Sequence, residues 1–141
     1  MKLFAIIAFV ASLFAGGAAQ AQAQNAESIA KAQAAATKWL ALTDSGRYAA
    51  SWEQAAALFK TAVTKENWAG AVKGVRSPLG SVKSRKLKSA QFTKTVPNAP
   101  EGEYVVLQFD TQFENRADSV ETVTPLKDRD GVWRVSGYFI K

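Results

Sequence analysis

EYVVLQFDTQFENRADSVETVTPLKDRDGVWRVSGYFI, residues 103–140, is the stretch that decides the fold. Val105, Leu107, Phe109 and Phe113 alternate with Gln108, Asp110 and Gln112, the period-two pattern of a half-buried strand. Strands are expected at about 103–113, 119–127 and 132–140, joined by residues 114–118 and by Asp128-Arg129-Asp130-Gly131, whose Asp-Gly pair is a hairpin signal. In the last strand Trp133, Val135 and Phe139 oppose Arg134, Ser136 and Tyr138. In the middle one Val120, Thr122, Thr124 and Leu126 oppose Glu121 and Val123. If both hairpins keep the apolar sets together, one face of the sheet carries Gln108, Asp110, Gln112, Glu121, Arg134 and Tyr138. A slip of one residue would destroy that segregation.

Working towards the N-terminus, the period changes. Residues 81–93 read as a poorly alternating strand, followed by a loop through Pro97, Asn98, Pro100 and Gly102. Before it the spacing is helical. Asn25 is the expected N-cap of a helix over about 26–44, with Ile29, Ala32, Ala36, Trp39 and Leu40 on one face and Gly46 as the stop. Tyr48, Trp52, Ala55, Phe59 and Val63 place a second helix. A third, capped by Thr64, carries Trp68, Val72 and Val75 and ends near Ser77-Pro78-Leu79-Gly80. Helices first and antiparallel strands afterwards is an α+β order: about three helices packed on a sheet of about four strands.

The N-terminus has the pattern of a secretory signal peptide. Lys2 precedes an apolar run at residues 3–15 (LFAIIAFVASLFA), and Ala-x-Ala sites follow at Ala19–Ala21 and Ala21–Ala23. Cleavage near Ala21 or Ala23 is expected, with residues 20–25 a flexible leader and residues 24–141 a single periplasmic or secreted domain. No Cys follows the run to take a lipid, so membrane contact is expected only through an uncleaved signal peptide.

Two absences limit the chemistry. The chain has no Cys and no His, and its only Met is Met1. That removes the Ser-His-Asp relay, an imidazole base at neutral pH, and the usual zinc, haem and thiol sites. No metal or other cofactor is expected. Without disulfides the domain depends on packing, which gives its four Trp and the five Phe that follow the signal peptide their weight.

The chain also resembles a known family. Trp39-Leu40, Ser51-Trp52, Val75-Arg76-Ser77-Pro78-Leu79-Gly80, Ser84-Arg85, Gly102-Glu103-Tyr104, Val120-Glu121-Thr122-Val123 and residues 131–138 (GVWRVSGY) are together similar to the domain-of-unknown-function family numbered 4019. The resemblance covers nearly all of the mature chain. It implies an exported bacterial protein in the periplasm and supplies no activity. The element order is similar to the cystatin-like roll of nuclear-transport-factor-two-like domains, a likeness of architecture alone.

Three features are candidates for function. From Lys60 to Lys94 nine Lys or Arg face one acid, Glu66. Lys83, Arg85, Lys86 and Lys88 form a basic patch for an anionic surface, or else a Lys-rich edge that blocks sheet-to-sheet aggregation. Nucleic acid is disfavoured, since no aromatics interleave with the cations. Arg76 is either a contact for a carboxylate or phosphate or a cation at a helix C-terminus. Asp110 and Glu121 near Tyr138 suit acid–base work if a pocket desolvates them, and an exposed cross-strand ion pair with Arg134 if none does. No catalytic residue is assigned. The expected function is a non-enzymatic module that binds a small ligand or a protein, including a second copy of the chain in a homodimer across the polar sheet face. The alternatives are a small carboxylate/Tyr enzyme and an anionic-surface binder.

Overall fold

The computed structural model describes residues 15–141. Most of the apolar run of the expected signal peptide lies outside them. The elements are α1 (Ala15–Asp44), α2 (Tyr48–Glu53), α3 (Ala57–Ala62), α4 (Lys65–Leu79), β1 (Val82–Thr93), β2 (Tyr104–Phe113), β3 (Arg116–Lys127) and β4 (Trp133–Ile140). The strands form one antiparallel sheet in the order β1-β2-β3-β4, with the helices packed against it. No described helix is long and apolar enough to cross a membrane.

The long helix α1 differs from the expected one at its start. Asn25 lies inside it, and residues 20–25 are helical rather than a loose leader. Ala and Gln are good helix formers, and nothing in AAQAQAQNA competes strongly with the backbone. Residues 18–27 are all exposed, and packing begins at Ile29. Ala32 and Ala36 bring the helix close to the sheet, and Trp39 and Leu40 fill the space beside them. These four meet Val105, Leu107 and Phe109 of β2, Val123 of β3, and Trp133 and Val135 of β4 in one buried cluster. Gly46, at φ 75°, follows the C-terminus of α1 as expected.

The expected second helix is two. It breaks after Glu53 because the Ala56 N–H donates to Val135 O at 2.8 Å, which ties the α2–α3 link to β4. The Thr64 side chain accepts from the Asn67 N–H and starts α4 as expected. Trp68, Val72, Arg76 and Leu79 face inward from that helix, and Val75 is exposed. Gly80, at φ 77°, turns the chain into β1, where an added Cβ would lie 2.9 Å from the Glu114 side chain.

The sheet corrects the expected sidedness of β3. Phe113 pairs with Arg116 across a two-residue turn at Glu114-Asn115, so β3 starts three residues earlier than expected. An extra residue of β3 between Arg116 and Ser119 then shifts the register, so that Leu107 opposes Val123, Phe109 opposes Glu121 and Thr111 opposes Ser119. Directly opposed residues share a face, so Glu121 and Val123 point at the helices, and Val120 and Thr122 point away. In β4 an extra residue near Ser136 shifts the register between Thr124 and Pro125. Trp133 and Val135 stay inward as expected, but beyond the bulge Tyr138 turns inward opposite Val123. Phe139 turns outward and is 51% exposed.

Candidate functional site

Glu121 is the centre of the buried polar structure. Its side chain is fully buried, and an unpaired carboxylate there would carry a desolvation cost of several kcal/mol. Four donors remove that cost. Arg85 Nε and Thr111 Oγ1 donate to Oε1 at 2.7 and 2.5 Å, Arg85 Nη2 donates to Oε2 at 3.2 Å, and the Tyr138 hydroxyl donates to Oε2. A carboxylate offers about four acceptor sites, so this one is saturated.

The network continues towards solvent. Arg85 also grips Asp44 through both terminal nitrogens, at 2.8 and 2.9 Å. Arg76, 4% exposed, donates to Asp44 Oδ1 at 2.9 Å and to Thr43 Oγ1 at 3.1 Å. Its guanidinium lies 5.0 Å from the centre of the Phe113 ring. Two carboxylates and two guanidinium groups thus neutralise one another, joining the end of α1 to α4, β1 and β3. Burial alone would raise the pKa of Asp44, but hydrogen bonds and charge from Arg85 and Arg76 outweigh it and leave the carboxyl below its ordinary value. Burial, followed by the negative charge of Glu121, pushes the Tyr138 phenol up from its ordinary value. The phenol therefore stays a donor.

Tyr138 passes this order on to the aromatic core. Its ring meets Trp39 edge-on at 5.2 Å, Trp39 lies 5.9 Å from Trp68, and Trp68 meets Phe59 edge-on at 4.8 Å. Each indole N–H has an acceptor: Trp39 donates to Ser51 O at 2.8 Å, Trp68 to Ser51 Oγ at 2.9 Å and Trp52 to Val63 O at 2.8 Å.

On the other side of Trp39 lies an open cleft of about 770 Å³. α1, α2 and the start of β4 form its walls. Trp39, Leu42, Trp133, Val135 and three alanines supply the apolar lining, and its charged lining residues are Lys31, Lys38, Arg47 and Arg134. Among the described residues, no acidic side chain lines it. Arg134 already binds Asp128 at 3.0 Å and Asp130 at 2.9 Å, and Lys31 pairs with Glu27 at 2.8 Å. Among the described residues, Lys38 and Arg47 have no acid within salt-bridge distance.

The family model described as "Protein of unknown function (DUF4019)" matches residues 35–138. The chain belongs to the DUF4019 family. Neither the search of curated proteins nor that of solved structures finds a match. The matched span of the DUF4019 domain contains the whole Glu121 network and all of the cleft lining except Lys31 and Ala34.

The residues expected to share a polar sheet face are split in the DUF4019 domain. Gln108, Asp110 and Gln112 lie on the face away from the helices, where Asp110 sits 4.0 Å from Lys88 and Gln108 accepts a hydrogen bond from Ser89. Arg134, opposite Leu126, staples the Asp128–Asp130 turn and pairs with neither Asp110 nor Glu121. The Asp130 carboxyl falls to about 2 through the Arg134 hydrogen bond and the Val132 N–H. Glu121 and Tyr138 are on the opposite, buried face. The basic patch divides as well. Lys83, Lys86 and Lys88 are exposed along the edge strand β1, whereas Arg85 points inward. Arg76 is committed to Asp44 rather than open to an external anion.

Thr43, Asp44, Thr111, Lys38 and Arg47 were not among the expected site residues. Thr43 extends the stripe of Ala32, Ala36, Trp39 and Leu40, and Arg76 is one turn beyond Val72. In both cases a polar side chain on an apolar stripe is the available signal. Nothing local marks Lys38 or Arg47.

Proposed function

We propose that this DUF4019 domain is an exported ligand-binding module without catalytic activity of its own, and that its binding site is the cleft between α1, α2 and β4. The cleft itself carries the reading: an apolar, tryptophan-lined hollow within the usual size range for small-molecule sites, about 300–1,000 Å³. The groups best suited to acid–base work point the same way. Glu121 and Tyr138 satisfy each other, and neither lines any of the three main clefts.

Export is supported by the signal pattern at the N-terminus. It is also consistent with the packing, because cleavage after Ala21 or Ala23 would remove only an exposed part of α1 and leave Ile29 and the core untouched. N-terminal sequencing of the periplasmic protein tests this, with a mature start at residue 22 or 24 as the expected outcome. A chain beginning at Met1 would reject it.

Native mass spectrometry of protein taken directly from its periplasm tests the binding reading. A small-molecule adduct is expected on the wild type and not on Ala34→Trp, which places an indole in the cleft from an exposed position. An adduct retained by Ala34→Trp would reject the cleft as the site.

A further inference from the structure

We infer that the ligand of this cleft is a dissolved amphiphilic anion, with one negatively charged head on an apolar chain or ring. The inference rests on the cleft being the binding site. Lys38 and Arg47 hold the head, while Trp133 and Leu42 take the apolar body.

The charge pattern supplies the argument. Among the described residues, four cations line the hollow and no acid does. Two of the four are already occupied, Arg134 by the Asp128 and Asp130 carboxylates and Lys31 by Glu27. Lys38 and Arg47 remain, one turn from Leu42 on α1 and just before the start of α2, with no acid in reach among the described residues. Beside an apolar wall the local dielectric falls, so cations attract an anion more strongly than they would in open water. A cationic ligand would be repelled by both side chains, and a neutral one would make no use of their charge. An anionic head is attracted by both. Arg47 also brings a planar fork that fits a carboxylate, phosphate or sulfonate.

The apolar surface fixes the other half of the ligand. Val132, 48% exposed, lies on the lining beside the buried Trp133. A small inorganic anion would leave that surface wet, whereas an apolar body covers it. The cations line a hollow sized for one molecule rather than lying on a flat face, which favours a single dissolved amphiphile over a bilayer. The exposed Lys83, Lys86 and Lys88 make the contrast: they carry charge along a sheet edge, and none of them lines the cleft.

The test is a titration of the mature protein, followed by tryptophan fluorescence and calorimetry, with decanoate, decanol, decyltrimethylammonium and inorganic phosphate below any micelle concentration. Vesicles of mixed neutral and anionic phospholipid form a fifth arm. Decanoate is expected to bind about tenfold or more tighter than decanol, and to weaken several-fold between about 20 mM and about 500 mM salt. The double variant Lys38→Ala/Arg47→Ala should lose that advantage over decanol while keeping its fold. Ala34→Trp should abolish binding of both. Equal affinity for decanol or decyltrimethylammonium would overturn the anionic class and leave the cleft standing as a site. Tight binding of phosphate alone would overturn the amphiphile, and binding to vesicles alone would overturn the dissolved ligand. If no compound binds, or Ala34→Trp binds as well as the wild type, the inference and the cleft reading both fail.

Discussion

Trp39 separates two regions that use the same kinds of side chain in opposite ways. On one side Arg76 and Arg85 are buried or nearly so, and each is matched to a carboxylate within 3 Å. On the other side Lys38 and Arg47 line an apolar cleft and, among the described residues, have no carboxylate to meet them. The difference is set by water. A buried guanidinium must be paired within the fold, because desolvating it alone costs more than the domain can supply. An exposed cation is already solvated, so the fold can leave it unpaired and available to a ligand. The Glu121 side should therefore carry stability and little binding, and the cleft side binding and little stability.

The largest effect is expected from breaking the paired side. Glu121→Ala removes the acceptor for Arg85, Thr111 and Tyr138 and leaves buried donors unmatched. Breaking a buried ion pair from one end typically costs about 3–5 kcal/mol, a large part of the total for a domain of this size. Urea unfolding should show the midpoint falling sharply, or the protein failing to accumulate. Glu121→Gln keeps the shape and loses the charge, so it should fall between Glu121→Ala and the wild type. An unchanged midpoint for both variants would mean that the network does not hold α1 to the sheet.

Next in size is the bridge between the two regions. Trp39→Phe keeps a ring near Tyr138 but removes the N–H that satisfies Ser51 O. Leaving that buried carbonyl unpaired costs about 1–3 kcal/mol, with a further loss for the smaller ring. Because Trp39 also lines the cleft, this variant should lower both stability and ligand affinity, which no change confined to one side should do. A variant that altered only one of the two would show that the regions are less closely joined than their shared tryptophan implies.

The charged end of the network gives a pH test. The folded pKa of Asp44 lies below its ordinary value, so its contribution is present above the unfolded value of about 3.9 and is lost as pH falls through the lower folded one. Asp44→Asn should be less stable than wild type at neutral pH, and the gap should close in acid. Tyr138 has the opposite sign. Its folded value is raised, so its contribution is intact below the unfolded value of about 10 and is lost as pH rises beyond it. Tyr138→Phe should therefore flatten the alkaline limb of the stability profile and leave the acid limb unchanged. An acid gap that stayed constant for Asp44→Asn would separate Asp44 from the ion-pair network.

The two regions also differ in how far they can be read from sequence. The alternation of Val105, Leu107, Phe109 and Phe113 identifies the inner face of β2 correctly, because every residue on it except Thr111 obeys the hydrophobic pattern. The same rule fails on β3. It favours Val120, Thr122 and Leu126 as the inner set, whereas Glu121 is inward because Arg85 reaches it from a strand that is not its neighbour. Hydrophobic patterning has no way to register a buried charge whose partner is 36 residues away. The extra residue of β3 between Arg116 and Ser119 and the bulge near Ser136 then set which residues share a face, and each shifts parity by a single position. The cleft is harder still to read. Lys38, Arg47 and Trp133 come from α1, the link to α2 and β4, and what marks them out is that no acid lines the cleft among the described residues.

The smallest stability effect is the one that most sharply separates the two sides. Lys38→Ala and Arg47→Ala remove exposed side chains without an ion-pair partner among the described residues, so each should change unfolding free energy by no more than about 0.5 kcal/mol. A loss of several kcal/mol would mean that these cations are structural, like Arg76 and Arg85, and the two sides of Trp39 would no longer differ in kind. A near-zero change accompanied by lost discrimination between decanoate and decanol would show a cation kept for a ligand rather than for the fold. Lys38 and Arg47 would then owe their positions to what enters the cleft, just as Arg76 and Arg85 owe theirs to Asp44 and Glu121.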